Sequence, residues 1–120
     1  MKVIVTAQGE TMDSQVDPRF GRAKNFIVID TESGEFKTLD NTQNLNAAQG
    51  AGIQSAQNVA NESVEALLTG NCGPKAFKVL SAANIKVYVG ASGTVAEAIE
   101  KLKNGELKES AEANVEGHWV

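Results

Sequence analysis

The chain has 120 residues and a formal net charge of −4 at pH 7. That length allows one domain with its own core, and the acidic balance excludes attraction of nucleic acid or an anionic membrane by a global field. A single cysteine, Cys72, excludes an intramolecular disulfide, and the opening MKVIVTAQ is too short an apolar run for a signal peptide or membrane span, so the expected setting is the reducing cytoplasm.

Val3-Ile4-Val5 is a β-branched run without polar alternation, which predicts a strand covered on both faces. It should be interior, flanked by a strand at Phe26 and a strand at Val64. Gln8 to Arg22 is polar and broken by Gly9, Pro18 and Gly21, so it reads as a long loop. Phe26-Ile27-Val28-Ile29 predicts a second strand. Thr31-Glu32-Ser33-Gly34 is a turn, and Glu35 to Leu39 returns antiparallel. Asp40 to Gly52 is rich in Asn, Gln and Gly, has no period and reads as a further loop, of a length that is often functional.

From Ile53 the period changes. Ile53, Ala56 and Ala60 fall on one face of a helix. Val64 to Leu68 predicts a strand. Gly73-Pro74 opens a second helix, with proline at the first helical position, where an N–H has no partner in any case. Ala76, Leu80 and Ala83 line that helix, with Phe77 beside them. Ile85 to Val89 predicts the last strand. Thr94-Val95-Ala96-Glu97 matches a capping box. Val95, Ala98, Ile99 and Leu102 form the stripe of the third helix, and Gly105 stands where a left-handed cap is expected.

The order β-β-β-α-β-α-β-α predicts an α/β domain over residues 1–107 and a polar, flexible tail over 108–120. Right-handed crossovers make the second half parallel and the hairpin adds an antiparallel edge, giving a mixed sheet with helices on its faces.

In open α/β sheets ligands bind beyond the carboxyl ends of the parallel strands. Three loops should meet there: Gln8 to Arg22, Thr69-Gly70-Asn71-Cys72-Gly73, and Gly90-Ala91-Ser92-Gly93. The last two lead into helix N-termini, where free N–H groups and the positive dipole end favour an anion. Arg19 and Arg22, flanking Phe20-Gly21, would add fixed charge to the same mouth. The candidate binding residues are therefore Arg19, Phe20, Gly21, Arg22, Asn71, Cys72, Gly73, Ser92 and Gly93.

Bland readings stand beside these. Glycines after strands commonly serve turns, Thr94 is an N-cap, and an arginine can pair with Asp13 or Asp17. Cys72 has two readings: a small buried hydrophobe, or a thiolate ligand favoured by a helix N-terminus, which makes it the one candidate metal ligand. His118, beside Trp119 in the tail, suits a solvated role. The chain has no G-x-G-x-x-G after a strand and no G-x-x-x-x-G-K-[ST]. It has too few Cys and His for a structural zinc site, and KVIVTAQ lacks the carboxylate a metal-dependent nuclease of this class would place on its first strand. No catalytic constellation is visible.

Phe20-Gly21-Arg22-Ala23, Gly73-Pro74-x-Ala76-Phe77 with Gly70 ahead of it, and Gly90-Ala91-x-Gly93-Thr94, in this order, resemble the dinitrogenase iron–molybdenum cofactor biosynthesis family. The resemblance runs from Met1 to about Leu107, as in a small stand-alone member. It implies a ribonuclease H-like fold, a mixed sheet flanked by helices. It also implies non-catalytic binding of an anionic iron–sulfur or iron–molybdenum cluster as cargo, received from a donor protein and passed to an acceptor by a monomer or weak dimer, with no nucleic-acid or membrane partner. The alternative is a binding protein, sensor or enzyme for a small phosphorylated or carboxylated metabolite at the same mouth.

Overall fold

In β1 (Lys2–Ala7), five residues are buried, because the strand is central and covered on both faces. A computed structural model describes residues 1–42 and 51–111. Its further elements are β2 (Asn25–Asp30), β3 (Phe36–Asp40), α1 (Ala51–Ala60), β4 (Ala66–Leu68), α2 (Pro74–Ala82), β5 (Lys86–Tyr88) and α3 (Val95–Lys103). The five strands form one sheet in the order β3-β2-β1-β4-β5. β1 pairs antiparallel with β2 and parallel with β4, and β4 pairs parallel with β5.

The two-residue period of the strands divides the core. Ile4 of β1 and Phe26 and Val28 of β2 point to one side, where they pack with Ala56 and Val59 of α1 and Ala76 and Leu80 of α2. Val3, Val5 and Ala7, with Ile27 and Ile29, point to the other, against Val95, Ala98 and Ile99 of α3. Both faces being covered, the strands need no polar alternation. Each fully buried aliphatic side chain contributes about 1.5–3 kcal/mol of transfer free energy.

Where the structure differs from the expectations, the reasons are local. The expected loop from Asp40 to Gly52 ends earlier, because Ala51 and Gly52 are already helical; residues 43–50 lie outside the described residues. Of the expected stripe, Ala56 is fully buried and Ala60 packs against the core, whereas Ile53 is only half-buried; Gly52, Ser55 and Val59 complete the inward face of α1. Small side chains let α1 approach its neighbours, so size rather than hydropathy selects that face. Ala83 is exposed at the end of α2. β4 and β5 are shorter than the apolar runs that announce them, although Val64 and Ile85 are buried just outside. Gly105 has φ +73° and follows the C-cap Asn104 of α3. Beyond Leu107, Glu109 bridges to Tyr88, and the Ser110 N–H donates to the Val87 carbonyl (2.7 Å), against the outer edge of β5. His118 and Trp119 lie outside the described residues. Among the described residues, no helix is long and apolar enough to cross a membrane.

Candidate functional site

The carboxyl ends of β1, β4 and β5 open at one end of the sheet, and backbone hydrogen bonds tie their three loops together. The Asp17 N–H donates to the Thr6 carbonyl (2.9 Å) and the Val16 N–H to the Gly93 carbonyl (2.9 Å). The Phe20 N–H reaches the Asn71 carbonyl (3.3 Å), and the Gly90 N–H reaches the Gly70 carbonyl (2.9 Å). Underneath, the buried Thr6 hydroxyl bonds the Asp17 carbonyl (2.8 Å) and the Thr69 hydroxyl (2.9 Å). Gly70 is required by contact: a Cβ there would stand 2.7 Å from Pro18 Cα and 2.8 Å from the Pro18 carbonyl oxygen. Only a residue without Cβ lets the two loops meet.

The candidates separate into groups. Arg19 is exposed and Arg22 half-buried. The backbone at Arg19 makes an isolated parallel bridge with Asn71. Its N–H donates to the Asp17 carboxylate (3.0 Å), and the Asn71 amide donates to the Pro18 carbonyl (3.0 Å). Asp17 thus serves the loop backbone rather than an arginine side chain. Phe20 is fully buried and stacks on Phe26, ring centroids 5.6 Å apart, so it is a core residue and no ligand contact. Gly21 is buried and presents its carbonyl inward, to Asn41 and Ser55.

The reading of Cys72 as an accessible thiolate is corrected. Cys72 is fully buried beside Ile4, Phe20 and Ala76, its Sγ donates at 3.6 Å to the Gly73 carbonyl, and burial pushes the thiol up to about 12. Desolvation of a charge costs far more than the dipole of one helix end returns. No group of three or more His, Cys, Asp or Glu among the described residues could hold a metal ion.

The two helix N-termini also differ. At α3, Thr94 and Glu97 form the expected capping box: the Thr94 hydroxyl accepts from the Glu97 N–H, and the Glu97 carboxylate accepts from the Thr94 N–H. The Val95 and Ala96 N–H groups donate to the Ser14 and Met12 carbonyls (2.9 and 3.0 Å). Every donor of that turn is therefore used, so the first turn of α3 has no spare N–H for an anion; Ser92 itself is exposed. At α2 the N-cap is Gly73, with no side-chain cap among the described residues and Pro74 at the start of the helix. This end lies next to Asn71, which bridges to Arg19, and Lys75 in its first turn is exposed. Sequence reasoning missed Asn41 and Ser55, two buried polar residues whose partners lie on a different loop.

Residues 1–105 match the family described as dinitrogenase iron-molybdenum cofactor. The chain is similar to the apo form of the orange protein from Desulfovibrio gigas, with 40% identity, a TM-score of 0.92, and coverage of 95% of this chain and 96% of that one. It is also similar to a putative NifB protein from Thermotoga, at 39% identity and a TM-score of 0.83 over 97% and 98% of the two chains. An uncharacterised protein of Methanocaldococcus jannaschii is 33% identical over 98 residues, 80% of this chain and 83% of its own.

Proposed function

This chain belongs to the dinitrogenase iron-molybdenum cofactor family, and on that premise we propose that it binds and carries an anionic metallocluster, an iron–sulfur or iron–molybdenum cofactor precursor, without transforming it. We assign its mixed sheet to the ribonuclease H-like folds. The observation that carries the reading is the placement of Arg19 on a loop bonded through Asn71 to the segment that enters the N-terminus of α2. Arg22 stands three residues along the same loop. Planar donor forks and backbone N–H groups then face one anion together.

The chemistry of the described residues suits intact cargo. A protein with one buried, protonated cysteine has no thiolate to exchange for a cluster's own sulfides. It would hold the cluster by charge and hydrogen bonds and could release it without breaking a coordinate bond. Donor and acceptor proteins would meet it in the cytoplasm, with the carrier as a monomer or weak dimer. A relative known as an orange protein and solved in its apo form agrees with a coloured, removable cargo.

Anaerobic purification, followed by iron, molybdenum and sulfide analysis, tests the reading. Protein that emerges empty is titrated with a soluble, thiolate-ligated iron–sulfur cluster anion, followed by visible absorption. Saturable uptake is expected, and Arg22→Ala should weaken it roughly tenfold or more, since a charge-assisted hydrogen bond contributes about 1.5–3 kcal/mol. A colourless protein that takes up no cluster, yet is stabilised against heat by organic phosphates or carboxylates, would instead establish the metabolite-binding alternative.

A further inference from the structure

We infer that Asn41 is the positioning residue for Arg22: with Ser55 it locks the backbone beside that arginine and so sets the direction in which its side chain leaves the loop toward the proposed anion site. The inference rests on the reading of Arg22 as an anion contact. Asn41 follows the last residue of β3 and is 1% exposed; Ser55, on the inward face of α1, is 0% exposed. Both bond to carbonyl groups of the arginine loop.

The Asn41 amide nitrogen donates to the Gly21 carbonyl (3.4 Å) and to the Ala23 carbonyl (2.8 Å), and the Asn41 backbone N–H donates to the Lys24 carbonyl (2.9 Å). The Ser55 hydroxyl lies 3.1 Å from the Gly21 carbonyl oxygen and 3.3 Å from Asn41 Oδ1. The peptide group before Arg22 is therefore held by its carbonyl. The peptide group after it is held by its N–H, since Ala23 N donates to the Phe20 carbonyl (3.4 Å). With both planes fixed, φ and ψ of Arg22 are fixed, and so is its Cα–Cβ direction. Asn71 does the same for Arg19 from the other side of the mouth, through the Pro18 carbonyl and the Phe20 N–H.

Packing alone does not need this pair. An amide and a hydroxyl are buried here, where apolar side chains would avoid the cost of desolvating polar groups. What a satisfied polar network adds is direction, because its hydrogen bonds have one geometry. An anion held by an arginine fork requires that direction, whereas a core does not.

A double-mutant cycle tests the inference, with the soluble thiolate-ligated iron–sulfur cluster anion as probe and affinity and thermal midpoint read on each protein. Arg22→Ala should weaken affinity roughly tenfold. Asn41→Leu, which keeps volume and removes the donors, should weaken it about fivefold in the native background and less than about twofold in the Arg22→Ala background. The fall in thermal midpoint from Asn41→Leu should be the same in both backgrounds. Ser55→Ala runs in the same cycle and decides the matter if Asn41→Leu does not fold; it should show the same loss of effect once Arg22 is gone. Equal weakening in both backgrounds would make Asn41 merely structural and overturn the inference, as would unchanged affinity. If Arg22→Ala itself leaves probe affinity unchanged, the reading of the site fails first, and the inference falls with it.

Discussion

At Cys72 two local effects compete, and their magnitudes decide between them. A helix N-terminus favours a thiolate by about 0.3–1 kcal/mol at an exposed position. Burial acts against it more strongly, and the thiol is pushed up to about 12 from an ordinary value of 9.0. Native Cys72 should therefore alkylate orders of magnitude more slowly than the same thiol in denaturant, and Cys72→Ala should leave cluster affinity within about twofold. Raising this pKa on folding gives stability that is fully present below pH 9.0 and is lost as pH climbs toward 12. The stability difference between the native protein and Cys72→Ala should shrink over that alkaline interval, whereas it should be flat below it. Thermal midpoints of the two proteins across this range check the sign; rapid labelling of the native thiol at neutral pH, blocked by bound cluster, would restore the ligand reading.

At the scale of elements, α3 begins in a closed circuit. The carboxylate of Glu97 is held below its ordinary range by the N–H and hydroxyl of Thr94. A lowered pKa contributes stability above the unfolded value of 4.5, and that contribution is lost as pH falls through the folded value. Thr94→Ala should cost about 0.5–2 kcal/mol at neutral pH, and the difference from the native protein should narrow in acid, where protonated Glu97 no longer closes the box. Denaturant melts at pH 7 and below pH 4 measure both; a difference that stays constant would detach Glu97 from the cap. This box was legible in four consecutive residues because its bonds are local, as were the central strand and its flanks, whose apolar runs have no polar face. The occupied donors of α3 were not legible, since Ser14 and Met12 lie about eighty positions away and supply bare carbonyls. Asn41 and Ser55 were hidden for the same reason. Phe20 and Cys72 stand in segments correctly read as loops, yet those loops close over the open end of the core, and a one-dimensional pattern does not show which loop residues turn inward.

Across the whole molecule, the proposed cargo and the protein carry charge of the same sign. The chain has 15 Asp and Glu against 11 Lys and Arg, and the loop that bears Arg19 and Arg22 also bears the exposed Glu10 and Asp13. At low salt, where the Debye length grows to about 30 Å at 0.01 M, an approaching anion meets the net negative field first; closer in it meets the arginines and the end of α2. Salt should therefore act on the two rate constants in a manner unlike that of a basic anion binder. Screening the long-range repulsion raises the association rate, and screening the close contact raises the dissociation rate as well. Between about 0.02 and 0.2 M salt, stopped-flow measurements with the soluble cluster anion should show both rates increasing. Arg19→Ala, which removes an exposed charge on a backbone held by Asn71, should raise the dissociation rate and also slow association, because it deepens the repulsion. An association rate that falls steeply with salt would mean that the local patch outweighs the net charge at encounter distance. A neutral small ligand, bound at the same mouth, would show neither dependence.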